Sequence, residues 1–237
     1  MKIGLYTDCH YSSATLTCAN RYNSQSLRKI EEAYNFFEKE NCQLVVCLGD
    51  LIDTEPTVDQ EIKNLAEIAK IIGKSNIPTV CLMGNHDAFA IDRQRFYEIL
   101  GVPPIDELSV LGRRLLFLDA CYFKNGKRYA PGDTDWTDCY LPDVEKLQKK
   151  LLGITEETYI FIHQSIDPAI RADHRLFNAD EVFDLINKRV KIVFQGHYHP
   201  GCRSEYDGVK YITLPAMCEG ENAFWIYDLN SSTISEP

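Results

Sequence analysis

The first ninety residues alternate between short apolar runs and amphipathic helical patterns. The runs "KIGLYTD", "QLVVCLGD" and "IPTVCLMGNHD" are typical of buried strands. Between them, apolar residues recur every three or four positions over 24–40 and again over 62–72, which predicts two helices. Such alternation favours βαβ units around a mostly parallel sheet. The chain is therefore predicted to be an α/β protein.

After Gly101 the pattern changes towards antiparallel pairing. The stretch "LSVLGRRLLFLDA" predicts two strands joined by a turn, and the closing stretches "GVKYITLPA" and "AFWIYDL" are also typical of antiparallel strands. Strands "TYIFIH" and "VKIVFQG" and helices over 144–152 and 180–188 lie between them. Residues 121–141 and 164–178 are predicted to be functional loops. Because no linker or repeat is visible, we expect a single domain over residues 1–237.

Composition and charge restrict the possible partners and compartment. The nine cysteines include no pair separated by two residues, which favours reduced thiols of the core over disulfides or a thiolate zinc site. A formal charge of −10 disfavours long nucleic acid as a partner. No apolar run approaches a membrane span of roughly 20 residues, and "MKIGLYTDCH" does not resemble a signal peptide. We therefore expect a cytoplasmic protein with no membrane partner, and the oligomeric state is left open.

Polar residues able to bind a metal follow five of the predicted strands. They are Asp8, His10, Asp50, Asn85, His86, His163, His197 and His199. Ligands gather at the carboxyl ends of the strands in an open α/β sheet, so we expect these residues to converge. Because side chains alternate along an extended chain, Asp8 and His10 should share one site while Cys9 points away. The same argument places His197 and His199 on one side of their segment.

The chemistry of these candidate ligands predicts a pair of metal ions. Imidazoles, carboxylates and one amide, without thiolate, suit Mn, Fe or Zn. Seven ligands drawn from these eight residues are too many for one ion, but they fit two ions that share a carboxylate and hold a phosphoryl group between them. Gly49, Gly84 and Gly196 precede three of the groups, where we expect the backbone to approach other atoms closely.

In their order along the chain, these motifs resemble the calcineurin-like metallophosphoesterase superfamily. The motifs are "DCH" (8–10), "GDLID" (49–53), "GNHD" (84–87), His163 in "FIHQ", and "GHYH" (196–199). The resemblance implies a four-layer α/β/β/α sandwich of two mixed β-sheets, the metallo-dependent phosphatase fold. It also implies a metal-dependent hydrolase of phosphoric esters.

Position by position, the resemblance implies a role for each site residue. The first metal would be held by Asp8, His10, Asp50 and His199, and the second by Asp50, Asn85, His163 and His197. His86 would stand near the leaving-group oxygen, oriented by Asp53. The implied reaction is in-line attack on phosphorus by a hydroxide that bridges the two ions. Mn or Fe is favoured over Zn.

Departures from related subfamilies narrow the substrate. Thr54 and Glu55 stand where protein phosphatases of the superfamily carry Arg-Gly, and Asp53 stands where purple acid phosphatases carry tyrosine. The chain is more similar to compact bacterial members, including class III cyclic nucleotide phosphodiesterases. The stretches "RYNSQSL" (21–27) and "FNADEVFDLI" (177–186) are also similar to ADP-ribose and CDP-alcohol pyrophosphatases. We expect a small phosphomonoester, phosphodiester or nucleotide pyrophosphate as substrate.

Two other functions are compatible with parts of the pattern. A metal-dependent nuclease would use the same metals, but the acidic charge and the lack of a basic stripe oppose it. A non-catalytic, protein-binding scaffold of the same fold is the second alternative. It is opposed by the presence of every implied ligand and of His86. Release of phosphate and metal content would separate enzyme from scaffold.

The loops offer further candidates for contacts with a substrate. They are Lys127 and Arg128 for a phosphate, Trp136, Tyr122 and Tyr140 for a base, and His174. Loops often carry functional residues, yet aromatic side chains usually pack and charged loop residues are usually solvated. The first five of these residues could therefore either contact a substrate or simply be packed or solvated, while His174 is expected to be a solvated loop residue.

Overall fold

A computed structural model describes residues 1–15, 17–18, 20–153 and 155–237. Its strands form two sheets. In chain order they are β1 (Lys2–Tyr6), β2 (Leu44–Cys47), β3 (Thr79–Cys81), β4 (Glu107–Val110), β5 (Arg113–Leu118), β6 (Thr158–Ile162), β7 (Ile192–Gln195), β8 (Cys202–Tyr206), β9 (Val209–Thr213), β10 (Phe224–Asp228) and β11 (Thr233–Ser235).

The helices lie mostly in the connections between parallel strands. They are α1 (Ser26–Lys39), α2 (Val58–Ile72), α3 (Asn85–Ala90), α4 (Arg93–Leu100), α5 (Val144–Leu151) and α6 (Ala179–Ile186). Four of them match the sequence predictions to within about four residues at each end, which is the usual uncertainty of helix ends. Helices α3 and α4 were not predicted, because their short segments carry too few turns to show a period.

Both sheets are mixed. The first has the order β11-β10-β1-β2-β3, in which β1, β2 and β3 are parallel and β10 and β11 are antiparallel. The second has the order β4-β5-β6-β7-β9-β8, in which β5, β6, β7 and β9 are parallel and the edge strands β4 and β8 are antiparallel. The predicted antiparallel pairing is found for β4 with β5 and for β10 with its neighbours, whereas β9 pairs parallel with β7 and antiparallel with β8. The parallel strands occupy the centre of the second sheet but one side of the first, where β3 is an edge strand.

Apolar side chains join the sheets and attach the helices to them. Residues of both sheets, such as Leu5 and Phe161, share one buried cluster between the sheets. On the outer face of the first sheet, Phe37 of α1 packs so closely on Gly4 that a Cβ there would lie 2.7 Å from its ring. On the second sheet, Phe183 of α6 stacks on Tyr211 at a centroid distance of 5.6 Å. The predicted four-layer α/β/β/α sandwich is confirmed.

This topology brings the strand ends of both sheets to one edge of the molecule. The residues that follow them are Asp8 and His10 after β1, Asp50 after β2, Asn85 after β3, His163 after β6, and His197 and His199 after β7. Register keeps the ends level, since Tyr6 pairs with Cys47 and Cys47 with Cys81. The fold therefore supplies the convergence that the sequence predicts.

The cysteines and the helices agree with the expectations drawn from the composition, which were free core thiols and no membrane-spanning run. All nine cysteines lie in the described residues, all are free thiols, and seven are buried. Cys9 points into the core, with Sγ 3.6 Å from the sulfur of Met217, as expected for a residue that is not a metal ligand. Among the described helices, none combines the length and apolarity that crossing a membrane requires.

Candidate metal centre

Three side chains from the first and last motifs form one group of potential ligands. Nε2 of His10 lies 3.6 Å from Oδ1 of Asp8 and 3.2 Å from Nε2 of His199. Nε2 of His199 lies 3.5 Å from the same Asp8 oxygen. The other oxygen of Asp8 accepts hydrogen bonds from Thr7 Oγ1 and from the His197 amide. Asp8 is therefore held by one oxygen and presents the other to the two imidazoles.

A second group lies beside the first and is joined to it by Asp50. Oδ2 of Asp50 lies 3.1 Å from Nε2 of His163, and His197 completes this group. The same Asp50 oxygen lies 3.6 Å from Nε2 of His10 in the first group. One carboxylate oxygen thus faces both groups, and the two histidines of "GHYH" are divided between them.

His86 stands next to these groups and contacts Asp53. Nδ1 of His86 lies 3.0 Å from Oδ1 of Asp53, while the His86 backbone N–H donates to Oδ1 of Asp50. Asp53 is itself fixed, because Thr17 Oγ1 and Asn23 Nδ2 both donate to its Oδ2. The His86 ring is also close enough to His10 and Asp50 to form a third potential metal group. An experiment must therefore distinguish an acid from a ligand at this position.

The backbone at the candidate ligands differs from the predicted extended form. Asp8, His10, Asp50 and His197 have φ values of 52°, 44°, 53° and 66°, in the left-handed region. The alternation argument for Asp8 and His10 is therefore wrong in its mechanism, although both side chains do reach one group. Each left-handed residue costs roughly 1–2 kcal/mol, and such strain is concentrated at functional sites. Sequence patterns do not reveal it, because L-residues rarely adopt this conformation.

Two glycines allow the motif loops to approach one another. A Cβ on Gly84 would collide with the carboxylate of Asp50, and a Cβ on Gly196 would lie 2.7 Å from Oδ2 of Asp8. Any larger residue would displace the carboxylates. The predicted close approach at these glycines is confirmed.

The "GNHD" segment starts a helix instead of continuing the strand. Strand β3 ends at Cys81 and α3 begins at Asn85, so neighbouring side chains diverge by the helical rotation and not by strand alternation. At the third helical position, Asp87 accepts from the Gly84 N–H, which is a capping-box arrangement. Its other oxygen accepts from the N–H groups of Leu51 and Ile52. Asp87, to which sequence reasoning gave no role, therefore ties two motif loops together.

Replacing Asp87 by alanine should destabilise the protein by about 3–5 kcal/mol, because three buried N–H groups would lose their acceptor. Asp87→Asn keeps one acceptor oxygen and should lower the free energy of unfolding by about half as much. Urea unfolding of the metal-free protein measures both changes. A fully stable Asp87→Ala variant would show that the loops are held together by other contacts.

The pKa values of the site follow from burial and from neighbouring charges. Burial raises the pKa of Asp8 and Asp50, but the surrounding imidazoles outweigh burial and hold both below the usual carboxylate range. Burial lowers the pKa of His10 to about 4 and, together with His163, that of His197 to about 3. Both imidazoles are therefore neutral at pH 7, which is the form that binds metals.

His163 and His86 shift in the opposite direction. Burial lowers the pKa of His163, yet Asp50 outweighs burial and raises it to about 9. Burial also lowers the pKa of His86, but Asp50 and Asp53 outweigh it and raise it above its ordinary value. A cation bound beside Asp50 competes with the His163 proton, whereas His86 is favoured in its proton-carrying form.

Several buried polar atoms have no hydrogen-bond partner among the described residues. At the site they include Oδ1 of Asp8, Nδ1 of His10 and of His86, both amide atoms of Asn85 and Nε2 of His163. Asn85 is only 1% exposed, so two unpaired amide atoms there are costly unless a ligand satisfies them. Converging oxygen and nitrogen lone pairs are the donor set of a transition-metal site. The residues therefore fit metal ions.

Outer contacts fix the orientation of two imidazoles. Nδ1 of His163 lies 3.0 Å from the Leu48 carbonyl oxygen, and Nδ1 of His199 lies 2.5 Å from Oε1 of Glu219. Each contact places the ring proton on Nδ1 and leaves the Nε2 lone pair for a metal. Sequence reasoning missed Glu219, because an isolated acidic residue outside the motifs carries no local signal.

A cavity of about 420 Å³ opens over both groups. Its wall includes Trp136, His174 and Tyr198, and it also includes Arg21, whose guanidinium lies 3.6 Å from Asp53 Oδ2. His174 therefore faces the site, contrary to the expectation of a solvated loop residue.

The other loop candidates lie elsewhere. Arg128 pairs with Asp119 and covers the ring of Tyr122, and Lys127 lies over Phe123. Neither these residues nor Tyr140 belong to the lining of the cavity over the metal groups.

Two named bacterial proteins are similar to most of this chain. The 3',5'-cyclic adenosine monophosphate phosphodiesterase CpdA of Haemophilus influenzae is 26% identical over 234 residues, covering 92% of this chain and 77% of that protein. A probable cyclic nucleotide phosphodiesterase of Psychrobacter arcticus is 24% identical over 193 residues, covering 75% of this chain and 64% of that protein.

Solved structures and a family model give the remaining comparisons. A dimetal phosphatase from Danio rerio has a TM-score of 0.82 at 18% identity, covering 95% of this chain and 91% of that protein, which supports the fold. The model of the calcineurin-like phosphoesterase family matches residues 1–201, which include every motif described above. The chain therefore belongs to the calcineurin-like phosphoesterase family and is a hydrolase of phosphoric esters, as its motifs predict.

Proposed function

We propose that this chain hydrolyses a small phosphate ester with two transition-metal ions bound at its strand ends. The observation that carries the proposal is the pair of ligand groups that share one Asp50 oxygen, with His86 beside them. Such an arrangement suits two ions that act on one phosphoryl group.

In this proposal each metal has its own ligand set. The first set is Asp8, His10, Asp50 and His199, and the second is Asp50, Asn85, His163 and His197. Nitrogen and oxygen ligands without thiolate favour Mn or Fe, with Zn as the next choice. When bound, the two ions neutralise charge on the phosphoryl oxygens and lower the pKa of an attacking water.

His86 is the proton donor to the leaving group. Because its Nδ1 is directed at Asp53, its Nε2 is the nitrogen available to a substrate. Asp53 holds the ring and, as a carboxylate, stabilises the charged imidazole. Thr17 and Asn23 keep Asp53 in place by donating to its second oxygen.

A small phosphodiester such as a cyclic nucleotide is the substrate class we favour. The cavity of about 420 Å³ lies in the usual range for small-molecule sites. Two relatives carry names that specify cyclic nucleotide phosphodiesterase. Nine free thiols also fit a reducing, cytoplasmic setting, in which such substrates occur.

Turnover of defined esters tests the proposal. Protein reconstituted with Mn, Fe or Zn would be assayed with phosphomonoesters, cyclic nucleotides and nucleotide pyrophosphates. We expect hydrolysis that a chelator abolishes and that added metal restores. Less than about one bound metal per chain after reconstitution, or no hydrolysis of any ester, would contradict the dinuclear proposal.

Glu219→Gln should weaken metal binding about 10- to 100-fold, since a neutral amide accepts from Nδ1–H of His199 more weakly than a carboxylate does and no longer raises the basicity of the ring. A chelating indicator in competition with the protein measures the affinity for Mn. Glu221→Gln is the matched control, because Glu221 lies two residues away and pairs with Arg28 at the surface. Equal affinities in both variants would argue against a role for Glu219.

A further inference from the structure

A second cavity adjoins the one over the metal groups. It has a volume of about 280 Å³ and shares His86 and Trp136 with its neighbour. The rest of its lining comes from residues 54–58 and 132–134, together with Glu61 and Phe89. His86 and Trp136 therefore form the boundary between the two cavities.

The geometry of phosphoryl transfer gives this second cavity a place in the reaction. In an in-line displacement, the attacking and leaving oxygens are on opposite sides of phosphorus. With phosphorus above the metal ligands, the leaving oxygen points away from them and towards the proton donor. His86 lines both cavities, so a group that departs beside His86 has the second cavity next to it.

The two cavities differ in charge. Glu55, Glu61 and Asp133 line the second cavity, and its described lining contains no lysine or arginine. Glu55 accepts hydrogen bonds from Ser12 Oγ and the Ser13 N–H, contacts that favour its charged form. The cavity over the metal groups is also lined by two carboxylates, Asp50 and Glu219, but it has Arg21 and Arg171 in its lining as well.

Apolar surface supplies the remaining contacts. Val58, Phe89 and Trp136 line the second cavity next to the acidic groups. Apolar walls with a few charged groups are typical of small-molecule sites, and the sign of the charged groups determines which ligands are excluded.

We infer that the second cavity is a leaving-group subsite that selects phosphodiesters with an uncharged or cationic leaving alcohol. Nucleotide pyrophosphates are disfavoured, because their leaving group is itself an anionic phosphate. In the favoured reaction, water oxygen bonds to phosphorus, the phosphorus–alcohol bond breaks, and His86 gives its proton to the departing oxygen. The attacking water releases one proton to solvent, and His86 regains one from solvent before the next turnover. The inference rests on the proposed function and adds a charge preference to it.

Two aryl esters of thymidine 5′-phosphate test the charge preference. One releases 4-(trimethylammonio)phenol and the other releases 4-sulfophenol, so the leaving groups differ in fixed charge. We expect Mn-loaded protein to favour the cationic ester in kcat/KM by about tenfold, after division by the ratio of their alkaline hydrolysis rates. No preference, or a preference for the sulfonate, would overturn the inference.

Variants at two exposed lining positions locate the effect. Val58→Lys and Thr134→Lys add a positive charge from opposite segments of the lining, and both positions are exposed. Each lysine variant should lower the ratio of kcat/KM for the cationic ester to kcat/KM for the anionic ester by about three- to tenfold. Val58→Met and Thr134→Gln should change this ratio by less than about twofold. Unchanged ratios in both lysine variants would also overturn the inference.

Failure of the inference differs from failure of the proposed function. Bis(4-nitrophenyl) phosphate serves as a third substrate, with a leaving group that needs little protonation. Hydrolysis of this ester with no charge preference among the other two contradicts only the leaving-group subsite. No hydrolysis of any of the three esters contradicts the phosphoesterase mechanism itself.

Discussion

Replacing His86 by alanine is expected to leave metal content near that of the wild type and to lower turnover by about 10²–10⁴, the usual contribution of a positioned acid. The ring meets Asp53 through Nδ1, and its pKa is raised above the ordinary value because the effects of Asp50 and Asp53 outweigh burial. Both features favour a proton donor over a ligand. Elemental analysis and steady-state kinetics of the same preparation measure the two quantities.

The leaving group provides the control for this prediction. Loss of a proton donor should be largest for alkyl phosphoesters, whose alkoxide departs poorly, and smallest for nitrophenyl esters. Asp53→Asn should give a milder form of the same pattern, since it affects only the orientation and charge of the ring. His86 also lies near His10 and Asp50 in a potential metal group. Loss of an ion from His86→Ala, or equal effects on both ester types, would assign it to the metal.

The fold could be predicted from sequence because each central strand is buried on both faces. Runs such as "LVVC" and "TYIFI" are almost entirely apolar and are buried at every residue, as expected for strands that are covered on both sides. The candidate ligands were visible for a related reason, since each follows such a run. Strand ends give a local signal that does not depend on the rest of the chain.

The contacts around the ligands could not be predicted, because they join segments distant in sequence. Asn23 donates to the His10 carbonyl and to Asp53, and Glu219 meets His199 across 20 residues. The left-handed backbone at Asp8 and Asp50 occurs where hydrogen bonds join the two loops. One of these runs from the Asp8 N–H to the Gly49 carbonyl. No periodicity or composition encodes such pairs.

Asp50→Ala is expected to have the largest effect on metal binding. Oδ2 of Asp50 lies 3.1 Å from His163 and 3.6 Å from His10, so its removal affects both ligand groups. The site would then have one fewer negative charge to attract two divalent ions, which carry four positive charges together. We expect loss of the second ion and weaker binding of the first, with about one ion or fewer retained.

Asn85→Ala distinguishes a shared ligand from an unshared one. Asn85 is an uncharged amide whose two buried polar atoms lack partners among the described residues, and we assign it to the second ion alone. Its replacement should weaken the binding of the second ion and leave the affinity for the first ion near that of the wild type.

Asp50→Asn is the control for the structure of the loop. It removes the charge of Asp50 but keeps an acceptor for the His86 N–H, so a loss of metal in this variant reports the lost charge and not a misfolded loop. Metal titration followed by elemental analysis ranks the three variants by their metal affinity and by the number of ions that each chain retains. If Asp50→Ala retains two ions, or if Asn85→Ala loses both, Asp50 is not the shared ligand and the two groups do not act as one centre.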